Sequence, residues 1–325
     1  MLTIVIFSNG RYNYLIPLLH DIVQSNIKTK IQVINYGQQN KIKIKPFLKN
    51  KNIQFIIGKS NETFAERFFN YIKNIKTKYV WIIGDDDRIE TKYLKPLINF
   101  LKFKNNSGFS LNYSSFHKNN KIKKNKKILQ NIKFESFDLL KNISNLGTLG
   151  TLIVNANSFK KISKSLNKKI LLNYGYPQIY IALKLITKFK DWKFIKNKIL
   201  FYRYGNFEIN NKNLEIRLNM EFNGYFATAK EIFGIKSKMY KKIFRIIFFR
   251  NILSWIILAI EVIGKEKTQV IINNNRTLIP NFWWINLIFY LIYKTPVKFL
   301  VFIKKLKNFI KLQYEKYLTI VNYRA

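Results

Sequence analysis

The sequence predicts an α/β fold, a mostly parallel sheet flanked by helices, followed by a basic helical appendage. Across the first ~115 residues short apolar runs alternate with amphipathic helical patterns, the signature of a layered α/β unit. Three adjacent aspartates, Asp85-Asp86-Asp87, stand directly behind the apolar run Tyr79–Gly84. From Lys236 to Ala325 the chain carries 17 basic and 3 acidic side chains, interleaved with long apolar stretches. These observations divide the 325 residues into an α/β domain, 1–235, and a basic region, 236–325.

Met1-Leu-Thr-Ile-Val-Ile-Phe7 is apolar but short, lacks a basic leader and runs into the turn Ser8-Asn9-Gly10. It reads as a first strand rather than a signal segment. Further strands are expected at Ile31–Asn35, Ile53–Ile57, Tyr79–Ile83 and Gly108–Tyr113. Helices are expected between them at Tyr14–Ser25, Glu62–Ile75 and Thr91–Lys102, where Leu94, Leu97, Ile98 and Leu101 recur at helical spacing. Pro96 falls in the first turns of the last helix or kinks it. His117–Lys133 is rich in Lys and Asn and reads as a surface loop. Regular elements return at Phe134–Ile143, Thr148–Val154 and Ser158–Leu166, then a helix from Pro177 to about Lys188. Trp192–Tyr204 is strand-like and Asn213–Ile232 reads as a long helix.

The net charge of +41 invites a nucleic-acid reading, yet 49 of the 58 basic residues are Lys and only 9 are Arg. Readers of nucleic acid lean on Arg forks and stacking motifs, and none stands out, so nucleic acid is disfavoured as the main partner. A membrane surface or a nucleotide diphosphate explains the charge as well. With no cysteine, disulfides and thiolate metal sites are excluded. The apolar stretches Ile252–Ile260 and Asn281–Tyr293 fall short of the ~20 residues a bilayer span requires. Arg245, Arg250 and Glu261 flank or break the first, and Lys294, Pro296 and Lys298 break the second. Basic helices with Trp and Tyr suit a membrane interface, although helices covering the α/β domain are the plainer alternative, and a marginal span at Phe282–Ile303 stays open.

Carboxylates packed at a strand exit repel one another unless a cation sits among them. A hard divalent ion such as Mg²⁺ or Mn²⁺, which keeps phosphate oxygens in its shell, suits them. Asp87 is the first candidate ligand and Asp85 the second. Asp86, facing the other way on an extended segment, is left for a donor ribose or an acceptor hydroxyl. An acidic start to the helix at Thr91 accounts for one carboxylate but not for three.

The segment Thr77-Lys-Tyr-Val-Trp-Ile-Ile-Gly-Asp-Asp-Asp87, with Thr3–Tyr12, Gln32–Gly37, Asn61 and Phe64, resembles family-two glycosyltransferases of the GT-A fold, close to the abequosyltransferase-like group. The resemblance covers roughly residues 2–205. It implies an enzyme moving a sugar from a nucleotide-diphosphate donor to a glycan or lipid-linked acceptor in surface-polysaccharide synthesis, metal-dependent and inverting. It places Phe7, Ser8 and Asn9 at the nucleoside and Arg11 or Arg67 at phosphate. Asn35 stands where the family reads the base with Asp, and Asn61 near the donor. Many relatives supply the catalytic base from an acidic pair at a helix start; here Leu172–Ile179 has no acid. Asp86, Asp138 and Asp191 are the candidates for the base. The helix-start role for Asp138 and a solvated turn for Asp191 are the plain alternatives. A cytoplasmic enzyme peripheral on the membrane face is expected, against a catalytically inactive scaffold or a nucleic-acid-binding protein.

Overall fold

The computed structural model describes residues 1–38, 40–59, 61–117, 131–173, 176–204 and 210–302. Most of the expected Lys/Asn-rich loop lies outside them. The chain forms two compact units, Met1–Glu208 and Ile209–Ala325. The division thus falls at Glu208, ahead of the expected boundary at residue 235.

Unit 1 is built on one sheet of β1 (Leu2–Ser8), β2 (Lys30–Asn35), β3 (Ile53–Ile57), β4 (Tyr79–Gly84), β5 (Arg88–Ile89), β6 (Gly108–His117), β7 (Phe134–Ser136), β8 (Leu152–Asn155) and β9 (Lys193–Tyr204). The strand order is β3-β2-β1-β4-β8-β6-β9-β5, with β7 pairing β9. The first four strands are parallel, so β1, β2 and β4 end along one edge. β1 is buried along its whole length, which is why it reads as a continuous apolar run rather than an alternation. β8 then enters antiparallel between β4 and β6. β5, two residues long, pairs with Phe201 and Leu200 of β9, and so ties the segment after the aspartates to the far end of that strand.

The helices of this unit are α1 (Tyr12–Gln24), α2 (Lys41–Leu48), α3 (Phe64–Asn74), α4 (Leu94–Lys102), α5 (Leu139–Asn142), α6 (Ala156–Ser163), α7 (Lys168–Asn173) and α8 (Pro177–Phe189). Thr63 and Glu66 close a capping box on α3, satisfying two otherwise orphan amides. Pro96 lies in the first turn of α4, where its missing N–H costs nothing. α2 escapes sequence reading because Lys41-Ile-Lys-Ile-Lys45 alternates with the period of a strand. Asn40 caps it by accepting from the Lys43 amide, and Ile44 and Phe47, three residues apart, bury one face. Thr148–Val154 divides into a 3₁₀ turn at Leu149–Thr151 and β8, and Trp81 Nε1 donates to the Gly150 carbonyl at 2.7 Å.

Unit 2 contains α9 (Asn211–Glu221), α10 (Thr228–Phe233), α11 (Lys238–Ile247), α12 (Leu253–Ile263), α13 (Lys265–Asn274) and α14 (Trp283–Lys294). Two π-helical turns join α9 to α10 and α11 to α12. The second makes Lys238–Ile263 a single 26-residue helix, the one helix among the described residues long and apolar enough by length and composition to cross a membrane. Arg245 and Arg250 therefore do not break it as the sequence suggested. One stripe of it, including Phe244, Ile247, Phe248 and Ile256, is buried within the unit, with Phe244 against Phe226 and Phe248 against Phe289. Asn275 donates to the Asn219 side chain at 2.9 Å and accepts from Asn223 at 3.1 Å, joining α9 and its π turn to the end of α13. These contacts explain why residues 210–233 belong with the later helices.

Candidate active site

Parallel strands deliver Ser8, Asn35 and Asp85 to the same sheet edge, where ligands of open α/β sheets generally bind. Asp85 is fully buried and accepts from Ser8 Oγ at 2.7 Å and from the Arg11 guanidinium. Burial pushes its carboxyl up, while Arg11 and Ser8 pull it down. Asp86 is the open member, its side chain 22% exposed and 3.5 Å from Arg11. Asp87 is buried, with its carboxylate held by the backbone amides of Arg203 and Gly84. Burial, then the neighbouring Asp86 and Asp85, raise it well above the usual carboxylate range.

The turn is gripped from two sides. Arg203, at the end of β9, donates through Nε to the Asp86 carbonyl at 2.9 Å, and its guanidinium lies over the rings of Tyr14 and Phe116. Gly150 backs onto Asp87: a Cβ there would stand 3.0 Å from its Oδ2. Sequence reasoning missed Arg203 as part of this site. It carries no local signal, because β5–β9 pairing brings it in from far along the chain.

Asn35 does not match the base-reading role expected of it. Its Oδ1 accepts from the amides of Gly10 and Gly37, and its Nδ2 donates to the Gly37 carbonyl and Tyr12 hydroxyl. The amide is spent on clamping the loops after β1 and β2. Those loops touch: a Cβ on Gly37 would lie 2.6 Å from the Asn9 carbonyl carbon, and Gly10 takes φ +73°. Replacing Asn35 with Ala should cost about 1–3 kcal/mol, the penalty for stranding buried amides, measurable by urea unfolding.

Phe7, Phe64 and Arg67 do come together, with Tyr36 and Tyr71, which the sequence did not single out. Phe7 meets Tyr36, Phe64 and Tyr71 edge-on at 6.2, 6.0 and 5.6 Å between centroids. The Arg67 guanidinium lies 3.4 Å from the Tyr36 ring centroid, stacked on an aromatic face. Asn61 is exposed in the turn before α3, and Asn9 is exposed beyond β1.

Asp138 and Asp191 lie elsewhere. Asp138 caps α5, accepting from the Lys141 amide at 3.1 Å. Asp191 accepts from the amide and hydroxyl of Ser107 at the start of β6. Both flank the beginning of β9, whereas Arg203 sits near its other end, so neither serves as base at the aspartate turn. Asp138→Ala and Asp191→Asn should leave turnover within about twofold of the parent in a donor-hydrolysis assay, since surface or capping changes remote from a site act on stability instead. Gln178, in the first turn of α8, is buried and donates to the Gly147 carbonyl at 3.0 Å. This helix start, where an acidic pair was sought, thus presents an amide.

Among the described residues no group of three His, Cys, Asp or Glu is arranged to hold a metal ion. The aspartate turn nevertheless fits a hard divalent cation that takes one or two carboxylates and completes its shell with phosphate oxygens and water. Asp87 would be one ligand: burial disfavours its ionised form, which an added cation would favour. Asp85 already has Arg11 as its cation, so a metal would reach it only by displacing that guanidinium.

No family model and no curated protein matches the sequence. Solved structures match the fold. S. aureus TarS residues 1–349 in complex with UDP-GlcNAc superimposes with a TM-score of 0.52 at 12% identity, covering 86% of this chain and 88% of that one. The crystal structure of S. aureus TarS gives 0.54 at 11% identity over 86% of this chain and 49% of that one. The mannosyltransferase PcManGT from Pyrobaculum calidifontis, in complex with GDP-Man and Mn²⁺, gives 0.53 at 9% identity over 94% and 86%. The chain has the GT-A-type α/β fold of these glycosyltransferases.

Proposed function

We propose that the chain is a glycosyltransferase that moves a sugar from a nucleotide-diphosphate donor to a glycan or lipid-linked acceptor, dependent on a divalent cation and inverting. The observation that carries this reading is Asp87, a carboxylate buried at the strand-end edge with its charge met by backbone amides, next to the open carboxylate of Asp86. Its setting in a fold shared with proteins solved in complex with UDP-GlcNAc and with GDP-Man and Mn²⁺ supports the donor class. The resemblance of Thr77–Asp87 to the abequosyltransferase-like group is the ground for proposing a surface-polysaccharide acceptor.

In this reading Asp87, with Asp85 as a second ligand if Arg11 were displaced, would hold the cation, which would supply Lewis-acid charge for a departing diphosphate. Arg11, half-exposed beside Asp85 and Asp86, adds a guanidinium that swings to the same phosphates. Arg203 and Gly150 hold the turn so that the carboxylates need not reorganise as charge develops. The ring cluster around Phe7 offers faces for the nucleoside. Asp86 is the remaining acid for the acceptor proton, since Asp138 and Asp191 are bound elsewhere. Asp86→Asn should lower kcat by about 10²–10⁴-fold with donor binding retained, and loss of less than about tenfold would remove it as the base.

Calorimetry with UDP, GDP and their sugar conjugates, with and without Mn²⁺, tests the whole reading. Cation-dependent binding that disappears in Asp87→Ala is expected. No nucleotide diphosphate binding at all, or binding indifferent to cation and to Asp87, overturns it. Gln178 at the start of α8 favours one second reading, an inactive scaffold, for which binding without turnover on any donor would be the signature.

A further inference from the structure

The apolar residues of α14 form two opposite faces, and one of them is uncovered. Ile285, Phe289 and Ile292 are buried within unit 2. Trp283, Leu287, Tyr290 and Leu291, at helical spacings of four, three and one, line the opposite side; Trp283 is 75% and Tyr290 59% exposed. The chain is helical again over 297–302, where Phe299 and Phe302 are 55% and 57% exposed. A helix apolar on all sides needs a second apolar neighbour or a membrane. The buried side fixes the helix in place, and Lys265 Nζ caps its end by donating to the Tyr293 and Thr295 carbonyls at 2.6 and 2.9 Å. The uncovered face is therefore presented by an anchored element.

We infer that this face of α14 docks unit 2 onto an anionic lipid bilayer, lying in the plane of the interface. Length decides the orientation: 12 residues rise about 18 Å, well short of the ~30 Å hydrocarbon core. Residue type points to the partner, because Trp and Tyr beside Leu and Phe match the headgroup boundary, where one end of the ring is apolar and the other wet. Charge selects the lipid. Lys294 and Lys298 are exposed between the two apolar clusters. A second copy of this basic chain is repelled by that charge, whereas a layer of anionic headgroups is attracted by it. The surface stands independently of the sugar-transfer reading.

Co-sedimentation of the full chain with phosphatidylcholine vesicles containing about a third phosphatidylglycerol tests it, alongside pure phosphatidylcholine vesicles. Binding to the anionic vesicles, weakened by salt and released by alkaline carbonate, is expected. Trp283→Ser/Leu287→Ser/Tyr290→Ser should reduce it by more than about tenfold, since the apolar contact and the lysine contact act together. Because these side chains are exposed, the variant should keep the parent's circular dichroism and Mn²⁺-dependent nucleotide binding, which separates failure here from failure of the enzymatic reading. A folded variant that sediments like the parent overturns the inference. So does protein that resists carbonate extraction in both forms, which would mark Lys238–Ile263 as an inserted span, or parent protein that ignores vesicles and associates with itself through this face.

Discussion

Asp87→Asn should abolish measurable sugar transfer, a loss of about 10³-fold or more, while leaving the protein at least as stable as the parent. The two halves of this outcome share one cause. Burial and the adjacent carboxylates hold the Asp87 pKa well above its ordinary value. An acid whose folded-state pKa exceeds its unfolded one opposes folding once the pH passes the unfolded value, and the opposition is complete above the folded value. Asparagine keeps the shape and removes the buried ionisable group, so Tm measured at neutral pH without divalent cation should rise or hold. A site that stores unfavourable charge for its ligand trades stability for activity in this way. In the parent, Mn²⁺ with a nucleotide diphosphate should raise Tm, and in the variant it should not. A variant that loses stability and keeps turnover would show that Asp87 serves the fold rather than the chemistry.

The largest loss of stability should come from Arg88→Met. Asp21 of α1 is buried, and Arg88 meets it through Nε at 2.5 Å and a terminal nitrogen at 2.7 Å. Removing the guanidinium takes two charge-assisted hydrogen bonds from a buried carboxylate, which costs up to about 3–5 kcal/mol, or roughly 6–20 °C in Tm for a unit of this size. The double variant Asp21→Leu/Arg88→Met should recover most of that, because a buried pair exchanged for apolar groups of similar volume is often neutral. The pair also bears on the site, since Arg88 follows the aspartate turn and α1 begins next to Arg11. The double variant should therefore show a higher KM for donor than the parent even where its Tm is restored. Differential scanning calorimetry and donor titrations read the two effects separately; a single variant as stable as the parent would refute the claim.

Much of the fold was legible because its strands are buried on both sides. Leu2–Ser8 and Tyr79–Gly84 read as unbroken apolar runs with turn residues behind them, and each became a central strand. α3 was legible from Phe64, Phe68 and Ile72 at helical spacing, whereas its Thr63–Glu66 capping box emerged only in the structure. α2 was hidden because its lysines and isoleucines alternate, and capping with docking of two side chains overrode that local pattern. The continuity of Lys238–Ile263 was hidden as well: a π turn carries the helix past Arg250, and hydropathy read residue by residue gives no sign of it.

At the site, the aspartate turn could be read directly, because three carboxylates behind a buried strand are conspicuous against 17 acidic residues in the whole chain. The division of labour among them could not. Asp85 became the partner of Ser8 and Arg11, some 75 residues away, and Asp87 a buried carboxylate held by backbone amides. Asn35 turned from a reader of bases into a loop clamp, and two candidate bases fell at the wrong end of β9. Which residue types stand at a strand's exit follows from the order of the chain. Which of them stays open to a ligand depends on the desolvation and hydrogen bonds each meets after distant segments pack around it, and those are properties of neighbours in space.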